Sequence, residues 1–252
     1  MDKKPDLIRY NIFEPFTNLC AFTTTKSTLP IENIRYSNVP ENKAKLANAL
    51  ALEVGQMVYP DQTHSSCVVD VNEVPDKVIS ETDALVTSQS ELCLCVQTAD
   101  CVPVLLFDPE AKVVAAIHAG WRGTVGGIVE KALVKMTNYG ASTENIVAAI
   151  GPSISSEIYE VGDEVVNAAR ESIPNVELTL RKNGTGKTHF NLWEANRQLL
   201  LKNGVPAQNI EVLGACSFSE DEKYYSARRD GVNTGRMVSG IMLKPQTRVN
   251  KA

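Results

Sequence analysis

The chain has 252 residues, 43% of them apolar and 22% charged, with 15 Gly and 12 Pro, a composition that excludes disorder, collagen-like repeats and low-complexity arrays. Its 25 Lys and Arg against 30 Asp and Glu give a net charge of −5, which excludes a broad basic surface for nucleic acid or anionic lipid. No stretch approaches the roughly 18 apolar residues of a membrane span and no apolar run follows Lys3 and Lys4, so a cytoplasmic protein with its six cysteines reduced is expected.

Residues 43–54 carry Ala44, Leu46, Ala47, Leu50 and Val54 at helical spacing, with Gly55 as the stop. The apolar run 92–107 is broken at Thr98, Ala99 and Asp100, and a turn at Asp108, Pro109 and Glu110 separates it from 113–117, which predicts successive buried strands. Between Gly120 and Gly140, Val125, Ile128, Val129, Ala132, Leu133 and Met136 form one stripe of an amphipathic helix. A strand at 146–150 runs into Gly151 and Pro152, and 162–172 reads as helix. Asn191, three residues before Glu194, resembles a capping box opening a helix through Leu199 and Leu200 that Gly204 closes. Strands at 210–213 and 237–243 follow. Interleaved strands and helices, with no repeat, linker or charge block, predict a single domain over 1–252 of mixed α/β (α+β) layers with mixed sheets.

The Walker A, GxGxxG, HExxH and GxSxG signatures are absent, as is the zinc deaminase pattern H-x-E with P-C-x-x-C. What remains is polar residues in apolar surroundings. His118 ends the run 113–117 and leads into a Gly turn, where α/β sheets present functional groups. Cys101 lies in the polar interruption Thr98-Ala99-Asp100-Cys101, and His64 in the loop-like run 61–66. Two imidazoles and a thiolate suit zinc, or copper, with a fourth position open. The residues by themselves favour the plainer reading, His118 and Cys101 as satisfied core residues and His64 as a surface loop residue, because the three lie far apart in sequence and no short metal motif joins them. The chain has three histidines; His189, just ahead of the Asn191 cap, is expected outside any such set.

In order, Gln62-Thr63-His64, Thr82-Asp83-Ala84, Thr98-Ala99-Asp100-Cys101-Val102-Pro103, His118-Ala119-Gly120-Trp121-Arg122-Gly123, Ile150-Gly151-Pro152 and Tyr225-Ser226-Ala227-Arg228-Arg229-Asp230-Gly231 resemble the YfiH-like family, also called laccase-domain or polyphenol oxidoreductase-like. The resemblance implies an α/β/β/α fold shared with certain deamidating toxins, a zinc site at His64, Cys101 and His118, and purine nucleoside phosphorylase activity with adenosine deaminase activity. Two departures stand out: the family's Ser-Thr-Arg-x-Gly-Gly-Val-Ser stretch is replaced at 23–29 by Thr-Thr-Thr-Lys-Ser-Thr-Leu, and the Gly after the first His is Ser65.

Phosphorolysis of adenosine, inosine or methylthioadenosine needs a phosphate held beneath the sugar, and Arg122, Arg228 and Arg229 are the forks that match phosphate oxygens. Trp121 or Tyr225 offers a ring to stack on a purine. Deamination needs an acid/base, for which Asp83 and Asp100 are the nearest carboxylates, each equally suited to a structural hydrogen-bonding role. The expected partners are therefore small molecules, purine nucleoside and phosphate, with no nucleic acid and no membrane. Three alternatives stand beside this reading. A copper-dependent polyphenol oxidase is disfavoured by a histidine count too low for a trinuclear cluster. A Cys101–His118 amide hydrolase would suit the family's link to peptidoglycan-precursor quality control. The third is a binding module without catalysis.

Overall fold

The computed structural model describes residues 6–28, 40–184 and 186–245. In chain order the strands are β1 (Leu7–Ile8), β2 (Leu19–Thr24), β3 (Met57–Val58), β4 (Val68–Asp70), β5 (Ala84–Thr87), β6 (Cys93–Thr98), β7 (Val102–Asp108), β8 (Val113–Ala119), β9 (Val147–Ile150), β10 (Glu160–Val161), β11 (Leu180–Lys182), β12 (Thr188–Phe190), β13 (Ile210–Val212) and β14 (Met237–Leu243). The helices are α1 (Pro40–Leu50), α2 (Trp121–Val125), α3 (Ile128–Thr137), α4 (Asp163–Ser172), α5 (Leu192–Lys202) and α6 (Ala227–Asp230).

One sheet runs β1-β2-β14-β6-β3, a second β13-β9-β7-β8-β5-β4, and a small third β10-β12-β11. Both large sheets are mixed: β3 pairs β6 and β4 pairs β5 in parallel, while β14 pairs β2 and β7 pairs β8 antiparallel. Side-chain alternation assigns the layers. Leu105, Phe107, Val114 and Ala116 of the six-stranded sheet meet Leu94, Val96, Ile241 and Leu243 of the five-stranded sheet in one cluster. The alternate residues Val104, Leu106, Ala115 and Ile117 face Val129, Ala132 and Leu133 of α3 and Leu199 of α5. On the far side, Phe22, Cys93, Cys95 and Val238 cover Leu46 and Ala47 of α1. The layering is α/β/β/α, as the motifs imply, and it explains why β6, β7, β8 and β14 are buried throughout: each is covered on both faces, and β7 and β8 accordingly read as near-continuous apolar runs.

Several boundaries differ from the sequence reading. The first helix stops at Leu50 rather than Val54, because Ala51 turns left-handed (φ 55°) and the Leu52 amide closes on the Ala47 carbonyl at 2.8 Å. Gly55 instead lies in a 3-10 turn, Val54–Gln56. The apolar stripe after Gly120 is carried by two helices, α2 and α3, parted by Gly126 and the left-handed Gly127 (φ 75°). The capping box is half formed: Asn191 Oδ1 accepts from the Glu194 amide at 3.1 Å, but the Asn191 amide goes to the Thr179 carbonyl at 2.7 Å. Of the departing stretch 23–29, Thr23 and Thr24 finish β2 and Thr25 bonds Asp6, while Leu29 lies outside the described residues.

The run 92–107 is the boundary that matters most. Its halves, β6 and β7, belong to different sheets, so Ala99, Asp100 and Cys101 are where the chain crosses between layers. The loop from β3 to β4, which carries His64, makes the same crossing. No helix among the described residues is long and apolar enough to cross a membrane.

Candidate metal centre and cavity

The site is built at one end of the inter-sheet layer. In β8, His118 has the parity of Val114 and Ala116, so its ring enters the space between the sheets. The pairing Ala84↔Ile117 carries on to place Asp83 opposite His118, whose amide donates to the Asp83 carbonyl at 2.7 Å. The His118 Nδ1 also contacts Asp83 Oδ1 at 2.7 Å, leaving Nε2 as the outward nitrogen. The pairing Val102↔Ala119 likewise brings Cys101 opposite Gly120. Cys101 is held there by Asp100, whose backbone is left-handed (φ 96°) and whose carboxylate accepts from Ser217 Oγ and the Arg228 amide, both at 2.7 Å.

The ligand atoms of His64, Cys101 and His118 all lie within 4.8 Å of one another. The two imidazoles meet edge to face, centroids 4.8 Å apart. His118 is buried, Cys101 half-buried and His64 exposed. Gly120 closes the floor: a Cβ there would sit 3.1 Å from both Cys101 Sγ and His64 Cδ2. Two nitrogens and one sulfur, gathered at a spot where even a methyl group crowds and open on the side of His64, fit a zinc-type ion with one free position. His189 is elsewhere, in β12, its ring nitrogens taken by Asn183 and the Ser156 carbonyl.

Electrostatics follow from this packing. Burial alone would raise the Cys101 thiol, but the His118 and His64 imidazoles overcome it and hold it at about 6. Burial disfavours a charged His118, yet Cys101 and Asp83 raise it to about 9. Asp83, also penalised by burial, is brought down to about 2 by His118 and Ser65. At neutral pH this leaves a Cys101 thiolate beside a His118 imidazolium, and a soft or borderline cation binding there would displace the Nε2 proton.

A cavity of about 390 Å³ opens over the cluster, with Gln62, Gln97, Asn233, Thr234 and Arg236 among its polar walls. The sequence reading singled out none of these five; only Gln62 had a signal, its place in the Gln62-Thr63-His64 motif. Gln62 locks the loop to β6, its Nε2 donating to the Gln97 carbonyl at 2.8 Å and its Oε1 accepting the Gln97 amide at 2.7 Å. Arg236 donates to the Val232 and Gly235 carbonyls at 2.8 and 2.9 Å and so shapes the 232–235 wall.

The proposed phosphate forks separate. Arg229 is excluded as an anion ligand: its five donors are spent on the carbonyls of Ser217, Phe218 and Tyr224 and on both oxygens of Asp230. It is a bracket for the turn around α6. Arg122 is exposed over the Trp121 ring at 4.3 Å, with Glu164 4.0 Å away. Arg228 lies over Tyr159 at 5.3 Å. Burial raises the Tyr159 hydroxyl to about 12, against the nearby positive charges of Arg228 and Arg122; neither arginine is among the residues that line the cavity over the metal cluster. Tyr225 is also corrected as a stacking residue: it is buried with Tyr224 and Met237, and Lys26 covers its ring at 5.4 Å. Asp83 and Asp100 are consumed as hydrogen-bond acceptors.

The profile of the family described as multi-copper polyphenol oxidoreductase laccase matches residues 34–244. The purine nucleoside phosphorylase of Bacteroides thetaiotaomicron is 35% identical over 263 residues, which covers 96% of this chain and 97% of that protein. Adenosine deaminase RL5, from an unknown prokaryotic organism, is 41% identical over 215 residues, 82% of each chain. The crystal structure of Bacillus licheniformis hypothetical protein YfiH has a TM-score of 0.85 at 31% identity, covering 95% of this chain and 97% of its own. A likeness that spans both sheets, both crossings and the helices outside them makes the chain a member of the multi-copper polyphenol oxidoreductase laccase family, the YfiH-like proteins.

Proposed function

We propose that this chain is a zinc-dependent purine nucleoside phosphorylase that also deaminates adenosine, with His64, Cys101 and His118 as the metal ligands and adenosine and inosine as substrates. The observation that carries this is the convergence of those three side chains under a cavity of about 390 Å³, within the range of small-molecule sites. Zinc held there by His64, Cys101 and His118 would supply positive charge to a developing anion and make water more acidic.

The protein's own groups do the rest. Asp83, held at about 2, stays ionised and orients His118. Gln97, Asn233 and Thr234 offer amide and hydroxyl groups to the edge of a purine. Asp61, an exposed carboxylate on the cavity wall, takes over from Asp83 and Asp100 as the candidate acid/base. Arg122 and Arg228, outside the cavity lining and near Tyr159, remain the proposed phosphate ligands.

Metal analysis of the purified protein, followed by adenosine with and without phosphate, tests this. The expected result is near one equivalent of zinc, adenine and ribose 1-phosphate when phosphate is present, and inosine and ammonia without it. Bound copper with phenol oxidation faster than either purine reaction would overturn it in favour of an oxidase. A second reading rests on the low Cys101 thiol beside His118, the pairing of a cysteine amide hydrolase; zinc found at one equivalent, and lost in Cys101→Ala, would overturn it.

A further inference from the structure

We infer that Asp83 and Gln62 form a two-point clamp on the metal centre, Asp83 positioning both histidines and Gln62 positioning His64 alone, an inference that rests on the three-ligand reading above.

His64 has a left-handed backbone, φ 61°, which for a residue other than Gly persists only where the surroundings over-determine it. The loop that carries it leaves one sheet and enters the other, and its backbone pairing is confined to its ends, the Pro60–Ile79 bridge with Asp61 on one side and the Cys67 carbonyl on the other, so no ladder reaches His64 itself. Two polar groups replace that ladder. On the six-stranded side, three consecutive amides converge on the Asp83 carboxylate: Thr63 at 3.2 Å, His64 at 3.0 Å and Ser65 at 2.7 Å. Successive amides turned inward in this way make an anion nest, and here the anion is the protein's own. Ser65 Oγ adds a further donor at 2.7 Å.

On the five-stranded side, β3 ends at Val58, paired with Leu94, and so leaves the backbone of β6 uncovered further along. The Gln62 side chain takes the place of the missing strand by exchanging both hydrogen bonds with Gln97. The loop is thus tied to β6 by an amide and to the start of β5 by a carboxylate, one residue group on each side of His64.

Asp83 does a second thing that Gln62 does not. Its Oδ1, which accepts the His64 amide, also takes the His118 Nδ1 at 2.7 Å. One oxygen therefore ties the backbone of one ligand to the ring of the other, and sets the His118 tautomer that leaves Nε2 free to bind a cation. Asp83 is fully buried with five donors on its two oxygens, so no water can substitute for it.

The test is zinc affinity, by competition with a chromophoric chelator, combined with 15N NMR of the histidine rings, in wild type, Asp83→Asn and Gln62→Ala. Asp83→Asn is expected to weaken zinc by about 10–100-fold and to shift both the His64 and His118 ring signals. Gln62→Ala is expected to weaken zinc by less and to shift His64 while His118 stays put, with His189 unmoved in both as an internal control. Equal zinc affinity in wild type and both variants overturns the clamp and leaves the three-ligand reading intact; no zinc on the wild type overturns both. If Asp83→Asn does not fold, Gln62→Ala decides alone, and an unmoved His64 signal or an equally moved His118 signal overturns the clamp.

Discussion

His118 and His64 arrive at the same point by different means. His118 lies in β8, paired along its length by β7 on one side and β5 on the other, so its position is set by a ladder of cooperative backbone bonds and by the parity of the pleat. His64 lies on a crossing between sheets, strained at φ 61°, and is held by a handful of side-chain contacts. Cys101 sits between these extremes: one residue before β7, and one after the left-handed Asp100. A chemical group placed by a doubly paired strand tolerates local change, whereas one placed on a crossing depends on each polar contact beneath it.

The largest effect tests the point where both kinds of segment meet. Cys101→Ala removes the thiolate that links strand end and crossing, and is expected to abolish zinc retention and slow phosphorolysis and deamination alike by about 10²-fold or more, read by metal analysis and both assays. His118→Ala should lose most of the metal, while His189→Ala should retain the wild-type amount.

Gly120→Ala sharpens the comparison. The added Cβ presses on Cys101 Sγ and His64 Cδ2 at 3.1 Å each while sparing the β7–β8 ladder. Zinc affinity should fall clearly, and stability by about 1–3 kcal/mol; unchanged zinc affinity would mean that the crossings yield more easily than the contacts suggest.

The two arginines should then part. Arg122→Ala is expected to slow phosphorolysis by about 10-fold, the loss of one charge-assisted contact, while sparing deamination. Arg229→Ala should lower the melting temperature and reduce both reactions together, because its carbonyl partners lose their donors.

The smallest effect lies at the outer edge of the six-stranded sheet, on a strand rather than a crossing. Lys135 of α3 holds the Asp70 carboxyl of β4 below its usual range. A carboxylate lowered in the folded state contributes stability above its unfolded pKa of about 3.9, and that contribution is lost as pH falls through the folded value. Both partners are more than a third exposed, so the pair is worth under about 1 kcal/mol. Asp70→Asn should melt slightly below wild type at neutral pH, with the difference closing as pH drops below about 4 and zinc binding unaffected throughout.

Much of this molecule is legible in its sequence. The apolar runs 102–107 in β7 and 113–117 in β8 announce strands covered on both faces, and the stripe from Val125 to Met136 announces a helix laid on them. His118 and Cys101 stand out because a polar residue at the end of such a run needs a reason. Residues whose role comes from a distant partner are much harder to read. Asp100 is a plausible acid/base until Ser217 and Arg228 are seen on its carboxylate, and Arg229 a plausible phosphate fork until three carbonyls are seen around it. Gln62 looks like loop polarity until its amide is found completing the edge of β6.

The sequence by itself determined the strands β6 to β9, β13 and β14, the helices α1 to α5 and the few polar residues that interrupt the apolar runs, because burial imposes period and composition on such windows. The strands β1 to β5 and β10 to β12 left no such pattern. It also named the three candidate ligands, through motifs that are local. Only the tertiary structure decided that 92–107 splits between two sheets, that two such crossings meet at the end of β8, and which carboxylates and arginines are already spent. Those outcomes depend on register and layer packing between residues far apart in the chain, and a hydrogen bond across such a distance leaves no periodic trace in either partner's neighbourhood.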